Sequence, residues 1–75
     1  MNNTRRNILA NICNELNIIL EKLEGVHGEE EEVFENMPEN LQYSERGMNS
    51  EEAIELMDNA IDSLKEAIDC LNDIN

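Results

Sequence analysis

Glu24-Gly25-Val26-His27 is the arrangement in this chain with the most pointed chemical meaning. Residues three apart on a helix project to one side, and carboxylate-bridged di-iron bundles use Glu-x-x-His in that way. Such a centre also needs core-facing glutamates from other helices. The apolar positions of the second helical segment, Ile54, Met57, Ile61, Leu64, Ile68 and Leu71, leave no room for them. Gly25 and Gly28 also interrupt or flank the motif. His27 therefore reads as an exposed or boundary histidine, and no metal ligand is assigned. Glu29-Glu30-Glu31-Glu32 lacks the alternating ligands and the glycine turn of a calcium loop, so it reads as a solvated helical segment. Catalysis has little to stand on. There is one histidine, no phosphate-cradling glycine loop and no serine–histidine pairing in readable context. Carboxylates are many, but a working acid–base pair needs burial or crowding to separate their protonation states. The chain is expected to be a non-enzyme with no catalytic residue and no cofactor.

Two groups of residues suit binding. Glu51, Glu55, Asp58, Asp62, Glu66, Asp69 and Asp73 lie off the apolar seam of the second helix and form a nearly continuous negative face, interrupted by Lys65. Asp69 and Asp73 stand near a helix C-terminus, where negative charge is mildly unfavourable. Solubility is one reason for such a face, and attraction of a basic partner is the other. The second group lies in NMPENLQYSERG, residues 36–47, which holds the only proline and the only tyrosine. There Gln42, Tyr43, Ser44 and Arg46 offer a polar anchor for a partner or an anionic ligand. Alternatively, Arg46 pairs with Glu39, Glu45 or Glu52 and fastens the segment.

The elements that position these residues are two amphipathic helices. From Ile12 the large apolar residues step by four and three through Leu16, Ile19, Leu23 and Val26, with Ile8 ahead in phase, which is a heptad seam. The phase runs on through Glu30, Val33 and Met37. This favours one long helix over about 4–36 despite Gly25 and Gly28, each costing about 1 kcal/mol against alanine. The alternative is a kink near 25–28. Thr4 is the expected N-cap. Pro38 ends the helix, and turn-forming residues predict a loop over 37–49, longer than bundles commonly use. Leu41 and Tyr43 would pack over the bundle end. The second helix, about 50–74, would be capped by Asn49 or Ser50. An alanine column, Ala53, Ala60 and Ala67, continued by Ile74, runs beside its seam, and Leu9, Cys13 and Leu20 widen the first stripe. Stripes this wide exceed what a single hairpin covers. The expected fold is all-α, one domain over 1–75, an antiparallel helical hairpin dimerising into a four-helix bundle. Its self-association core would be Ile12, Leu16, Ile19, Leu23, Ile54, Met57, Ile61, Leu64, Ile68 and Leu71.

Composition narrows the partners. Eighteen acidic residues against five basic ones give a formal net charge of −13. Direct nucleic-acid binding requires a basic footprint that Arg5 and Arg6 do not supply, and anionic membranes are disfavoured for the same reason. No apolar run reaches the ~20 residues of a membrane span, and the N-terminus lacks the pattern of a signal peptide. Cys13 and Cys70 would both lie near the open end of the hairpin, where a bridge is geometrically possible, but they are expected to be buried, reduced thiols in a soluble intracellular protein.

The stretch NMPENLQYSERG, followed by EEAIELMDNAIDSLKEAIDCL, resembles a group of small acidic proteins from phages and prophages of Gram-positive bacteria. They share an N-terminal helix, an acidic patch ahead of N-x-P-E-x-L-Q-x-S-E-R-G, and a second helix of repeated E-A-I-D type. The likeness spans nearly the whole chain and is specific in residues 36–47. Gly25 and Gly28 depart from the uninterrupted first helix of that pattern. The resemblance implies a phage or prophage setting in a bacterial host cytoplasm, and no mechanism.

The functional expectation is a non-enzymatic homo-oligomer, a dimer, that presents acidic helix faces to a basic protein surface. A host or defence nucleic-acid-binding protein is the expected target. Glu51, Glu55, Asp58, Asp62 and Glu66 would supply long-range attraction, and Tyr43 and Arg46 local contact. The alternatives are a structural or assembly scaffold, and a sequestering protein that takes a small anionic ligand in the 42–47 loop.

Overall fold

In the computed structural model, residues 1–74 are described, and among them there are three helices and no strand: α1 (Asn3–Glu35), α2 (Glu39–Gln42) and α3 (Glu45–Asn72). α1 and α3 lie side by side as an antiparallel hairpin, 58 Å long and 15 by 13 Å in section. α1 runs unbroken through Gly25 and Gly28. The N-cap is Asn2 and not Thr4: the Asn2 side chain accepts from the Arg5 amide at 2.8 Å. A cap must stand before the first helical residue to reach an amide three residues on, and Thr4 already lies inside the helix.

The connection is shorter than the predicted 37–49 loop. After Asn36 the chain makes one turn, enters α2 at Pro38, and starts α3 at Glu45 under a Ser44 N-cap. Asn49 and Ser50, expected as caps, lie a turn inside α3. Pro38 has no amide hydrogen to satisfy and a φ of −55°, which suits the start of a helical turn. Its carbonyl accepts from the Leu41 amide at 2.8 Å and the Gln42 amide at 3.1 Å. The Gln42 amide side chain donates to the Phe34 carbonyl at 3.0 Å, which also accepts from the Met37 amide at 3.1 Å, and to the Met37 carbonyl at 3.3 Å, so it fastens the frayed end of α1. Gly47 is buried against α2. A β-carbon there would collide with the Gln42 and Leu41 carbonyl oxygens and lie 2.6 Å from the Gln42 carbonyl carbon. Glycine is therefore needed for close approach, which lets α3 begin so early. Leu41 and Tyr43 do not pack over the bundle end; both are exposed, Tyr43 at 76%.

The hairpin seam on α3 is the one expected, Ile54, Met57, Ile61, Leu64, Ile68 and Leu71, extended back through Ser50 and Gly47 in the same steps of three and four. On α1 it lies one position round from the sequence expectation. The covered ladder is Leu9, Cys13, Leu16, Leu20, Leu23, His27, Glu30, Phe34 and Met37. Leu16 and Leu23 belong to both versions, whereas Ile12, Ile19 and Val26 fall outside it. The tightest cluster is Leu20, Ile61 and Ile68, with Leu16, Leu23 and Leu64 packed around it. The core is thin. Among the described residues no large side chain is less than 2% exposed, as expected for two helices with one shared seam. Cys13 is buried and Cys70 is exposed, and the two thiols are free. The expectation of two buried cysteines is corrected for Cys70, which points away from the seam.

Candidate functional site

The seam carries a polar layer at its middle. His27 occupies a seam position on α1, and its side chain is 14% exposed. Its Nδ1 lies 3.1 Å from Glu31 Oε1, one helical turn on. Its Nε2 lies within ion-pair distance of Asp58 Oδ1 on α3, at 2.6 Å, while this buried nitrogen has no hydrogen-bond partner among the described residues. A second polar link joins the helices nearer the connection, where buried Ser50 donates its hydroxyl to Glu30 Oε1 at 2.6 Å. Sequence reasoning missed Ser50 and Glu30 as a pair. The signal was present, because both fall in the phase of the covered ladders. Among the described residues no group of three or more histidine, cysteine, aspartate or glutamate side chains is placed to hold a metal ion. Glu24 is exposed and takes no part in the His27 layer.

The acidic residues of the second half stand outside. Glu45, Glu51, Glu52, Glu55, Asp58, Asp62, Glu66, Asp69 and Asp73 are all exposed, with Arg46 and Lys65 the basic residues among them. Glu51 and Glu55, predicted for partner attraction, join Glu45, Glu52, Met48 and Asn49 around an open hollow of about 490 Å³ on the outer side of α3. Exposed Met48 places an apolar side chain beside several carboxylates there. That combination suits the aliphatic stem and charged head of a lysine or arginine. Asp58 is turned toward His27, while Asp62 and Glu66 continue the outer face.

The segment around Tyr43 and Arg46 is largely committed to holding itself together. Gln42 caps α1, and the Ser44 hydroxyl donates to the Leu41 carbonyl and accepts from the Gly47 amide at 3.4 Å. Tyr43 and Arg46 are exposed. Among the described residues Arg46 makes no ion pair, so the expected pairing with Glu39, Glu45 or Glu52 is not formed. The four-residue anchor weighed from the sequence reduces to two free side chains.

Of the residues expected to drive self-association, Leu16, Leu23, Ile54, Met57, Ile61, Leu64, Ile68 and Leu71 face the hairpin's own seam, while Ile12 and Ile19 stand 38% and 50% exposed. Ile12, Ile19, Val26 and Val33 each precede a seam residue by one. On α3, Ala53, Ala60 and Ala67 likewise precede Ile54, Ile61 and Ile68, and Ile74 extends their column. In an antiparallel pair, columns so placed share one flank of the seam. The opposite flank is fixed independently by the contacts of His27 with Glu31 and Asp58, which follow seam residues by one. The two flanks differ in chemistry. One carries Glu24, Glu31, Glu51, Asp58 and Lys65. The other carries isoleucine, valine and alanine; beside its alanines lie Asn49, Leu56, Ser63 and Cys70, and beside its isoleucines and valines lie Glu15, Lys22, Glu29 and Asn36. From Asn49 to Ile74 this second ladder of α3 contains no acidic residue, although eight acids are interleaved with it in sequence.

Among the described residues no helix is long and apolar enough to cross a membrane. Compared with known proteins, the chain matches no family model, no curated protein and no solved structure.

Proposed function

We propose that this protein is a non-enzymatic binding protein, a homodimer of helical hairpins that offers acidic faces to a basic protein surface. The observation that carries the reading is the segregation of charge on α3. Its carboxylates are exposed and gathered along the outer side of the helix. Solubility needs charge dispersed over a surface, whereas attraction of one partner gains from charge gathered on one side of it. The hollow framed by Glu51, Glu52 and Glu55 supplies a seat for a basic side chain. Tyr43 and Arg46 stand exposed at the same end of the hairpin. The target class is a host or defence protein that itself binds nucleic acid, since such proteins display the basic surface this face complements. The likeness of NMPENLQYSERG to phage and prophage proteins supports that setting, in the cytoplasm of a bacterial host.

The test is affinity purification from bacterial lysate in a salt series, with a variant carrying Glu51→Gln, Glu55→Gln, Asp62→Asn and Glu66→Gln. Screening of exposed charge shortens its reach to ~8 Å at 0.15 M salt and ~3 Å at 1 M. Retained partners are expected to fall away with salt and with the neutralised variant. Partners held unchanged at high salt would remove the electrostatic basis of the reading. A scaffold role is the competing reading, favoured by the exposed apolar flank. It predicts that the neutralised variant keeps its biological effect.

A further inference from the structure

We infer that the apolar flank, whose α3 ladder is free of acids, is the surface on which a second copy of this chain docks, with the large-residue column of each protomer lying on the small-residue column of the other. This rests on the proposed self-association and specifies its geometry. Ile12, Ile19, Val26 and Val33 are half-exposed along one helix, and Ala53, Ala60 and Ala67 run beside them on the other. A two-fold axis along the hairpin places each column of bulky residues over the partner's alanines, so one patch serves both copies. Small residues allow close helix approach, and bulky ones fill the space between. The length also fits. The ladder from Asn49 to Ile74 extends roughly 37 Å at about 1.5 Å per residue, and α1 opposite it is longer still. The flank runs along a body 58 Å by 15 by 13 Å, with room for the ~800 Å² of accessible surface that each partner of a standard interface buries.

Charge argues for self over a foreign partner. A chain of net charge −13 repels its own copy wherever acids face one another. The ladder of α3 is the strip of that helix from which acids are missing. A basic partner would gain nothing from their removal, but a second acidic copy requires it. In this arrangement the acids on the outer side of α3 remain in water, so the dimer carries two outward acidic faces.

The experiment is light-scattering mass of the full chain over a dilution series, for the wild type, Ala60→Glu, Val26→Glu and Asn59→Glu. Asn59 neighbours Ala60 but faces outward, so it adds the same charge off the flank. Ala60 and Val26 are exposed in the hairpin, so circular dichroism should report retained helix in every variant. The expected result is a dimeric wild type and a dimeric Asn59→Glu. Ala60→Glu and Val26→Glu should raise the dimer dissociation constant at least about 100-fold, because each dimer would bury two unpaired carboxylates. Dimers that survive both flank substitutions overturn the assignment of the face while self-association stands. A wild type that is monomeric at every concentration overturns both, and leaves the flank to another protein's helix. Neither result bears on the basic partner, which the salt series tests separately.

Discussion

Gly47→Ala should destabilise the hairpin, against the ordinary preference of helices for alanine. In the interior of a helix the exchange from glycine to alanine gains about 1 kcal/mol. At Gly47 the added carbon meets the Gln42 and Leu41 carbonyl oxygens and sits 2.6 Å from the Gln42 carbonyl carbon. These are backbone atoms of α2, so relief requires α2 to move, and with it the Gln42 side chain that caps α1. Overpacking of this kind costs about 1–3 kcal/mol beyond the propensity gain. For a chain of this size that is a fall in melting temperature of roughly 4–8 °C per kcal/mol. Gly25 and Gly28 provide the internal comparison. A β-carbon at either meets nothing within 4 Å, so Gly25→Ala and Gly28→Ala should each stabilise by about 1 kcal/mol. The assay is thermal melting by circular dichroism at one fixed protomer concentration, since association makes the midpoint concentration-dependent. If Gly47→Ala melts at or above the wild type, the close approach of α2 to α3 is wrong. The account of residues 36–47 as a structural fastener would fall with it.

Three further outcomes are expected. Gln42→Ala removes the two hydrogen bonds to the Phe34 and Met37 carbonyls and should cost about 1 kcal/mol; a urea midpoint equal to the wild type would show that water replaces the cap fully. His27→Leu should raise the melting temperature by several degrees, because leucine continues the apolar seam and removes a buried nitrogen without a hydrogen-bond partner, worth about 1 kcal/mol; a lower midpoint would mean that the contacts with Asp58 and Glu31 hold the helices together more strongly than packing does. Cys70, exposed in the hairpin and located on the apolar flank, should react with a thiol reagent faster as the protein is diluted, with Cys13 slow throughout; a rate independent of concentration would count against coverage of that flank.

Much of the fold could be read before the structure. The second helix was unambiguous, because Ile54, Met57, Ile61, Leu64, Ile68 and Leu71 recur in steps of three and four among acids and alanines, with Leu56 the one large apolar residue between them off the seam. Its start was not. Gly47, Asn49 and Ser50 resemble turn formers, and only the tertiary contact with α2 and the Ser50–Glu30 hydrogen bond reveal them as helical. Stepping back from Ile54 by four and three lands on Ser50 and Gly47, a cue that outranks local propensity once a hairpin is assumed. The first helix carried two apolar columns side by side, Ile12–Ile19–Val26 and Cys13–Leu20, and the bulkier one drew the seam. Size does not decide which column a hairpin buries. The choice follows the partner helix, whose smaller alanine column lies on the same flank as the isoleucines. The acidic face was legible directly from spacing. That Gln42 and Ser44 serve as caps was not, because their partners are backbone oxygens set by the path of α2.

Whether a second copy hides the bulky column of α1 and the alanine column of α3 is measured most directly by sedimentation equilibrium in low and high salt. Coverage by a second copy predicts twice the 8.6 kDa chain mass, with association tightening as salt screens the repulsion between two chains of net charge −13. A single-chain mass at all concentrations and salts, with the helices intact, would contradict it.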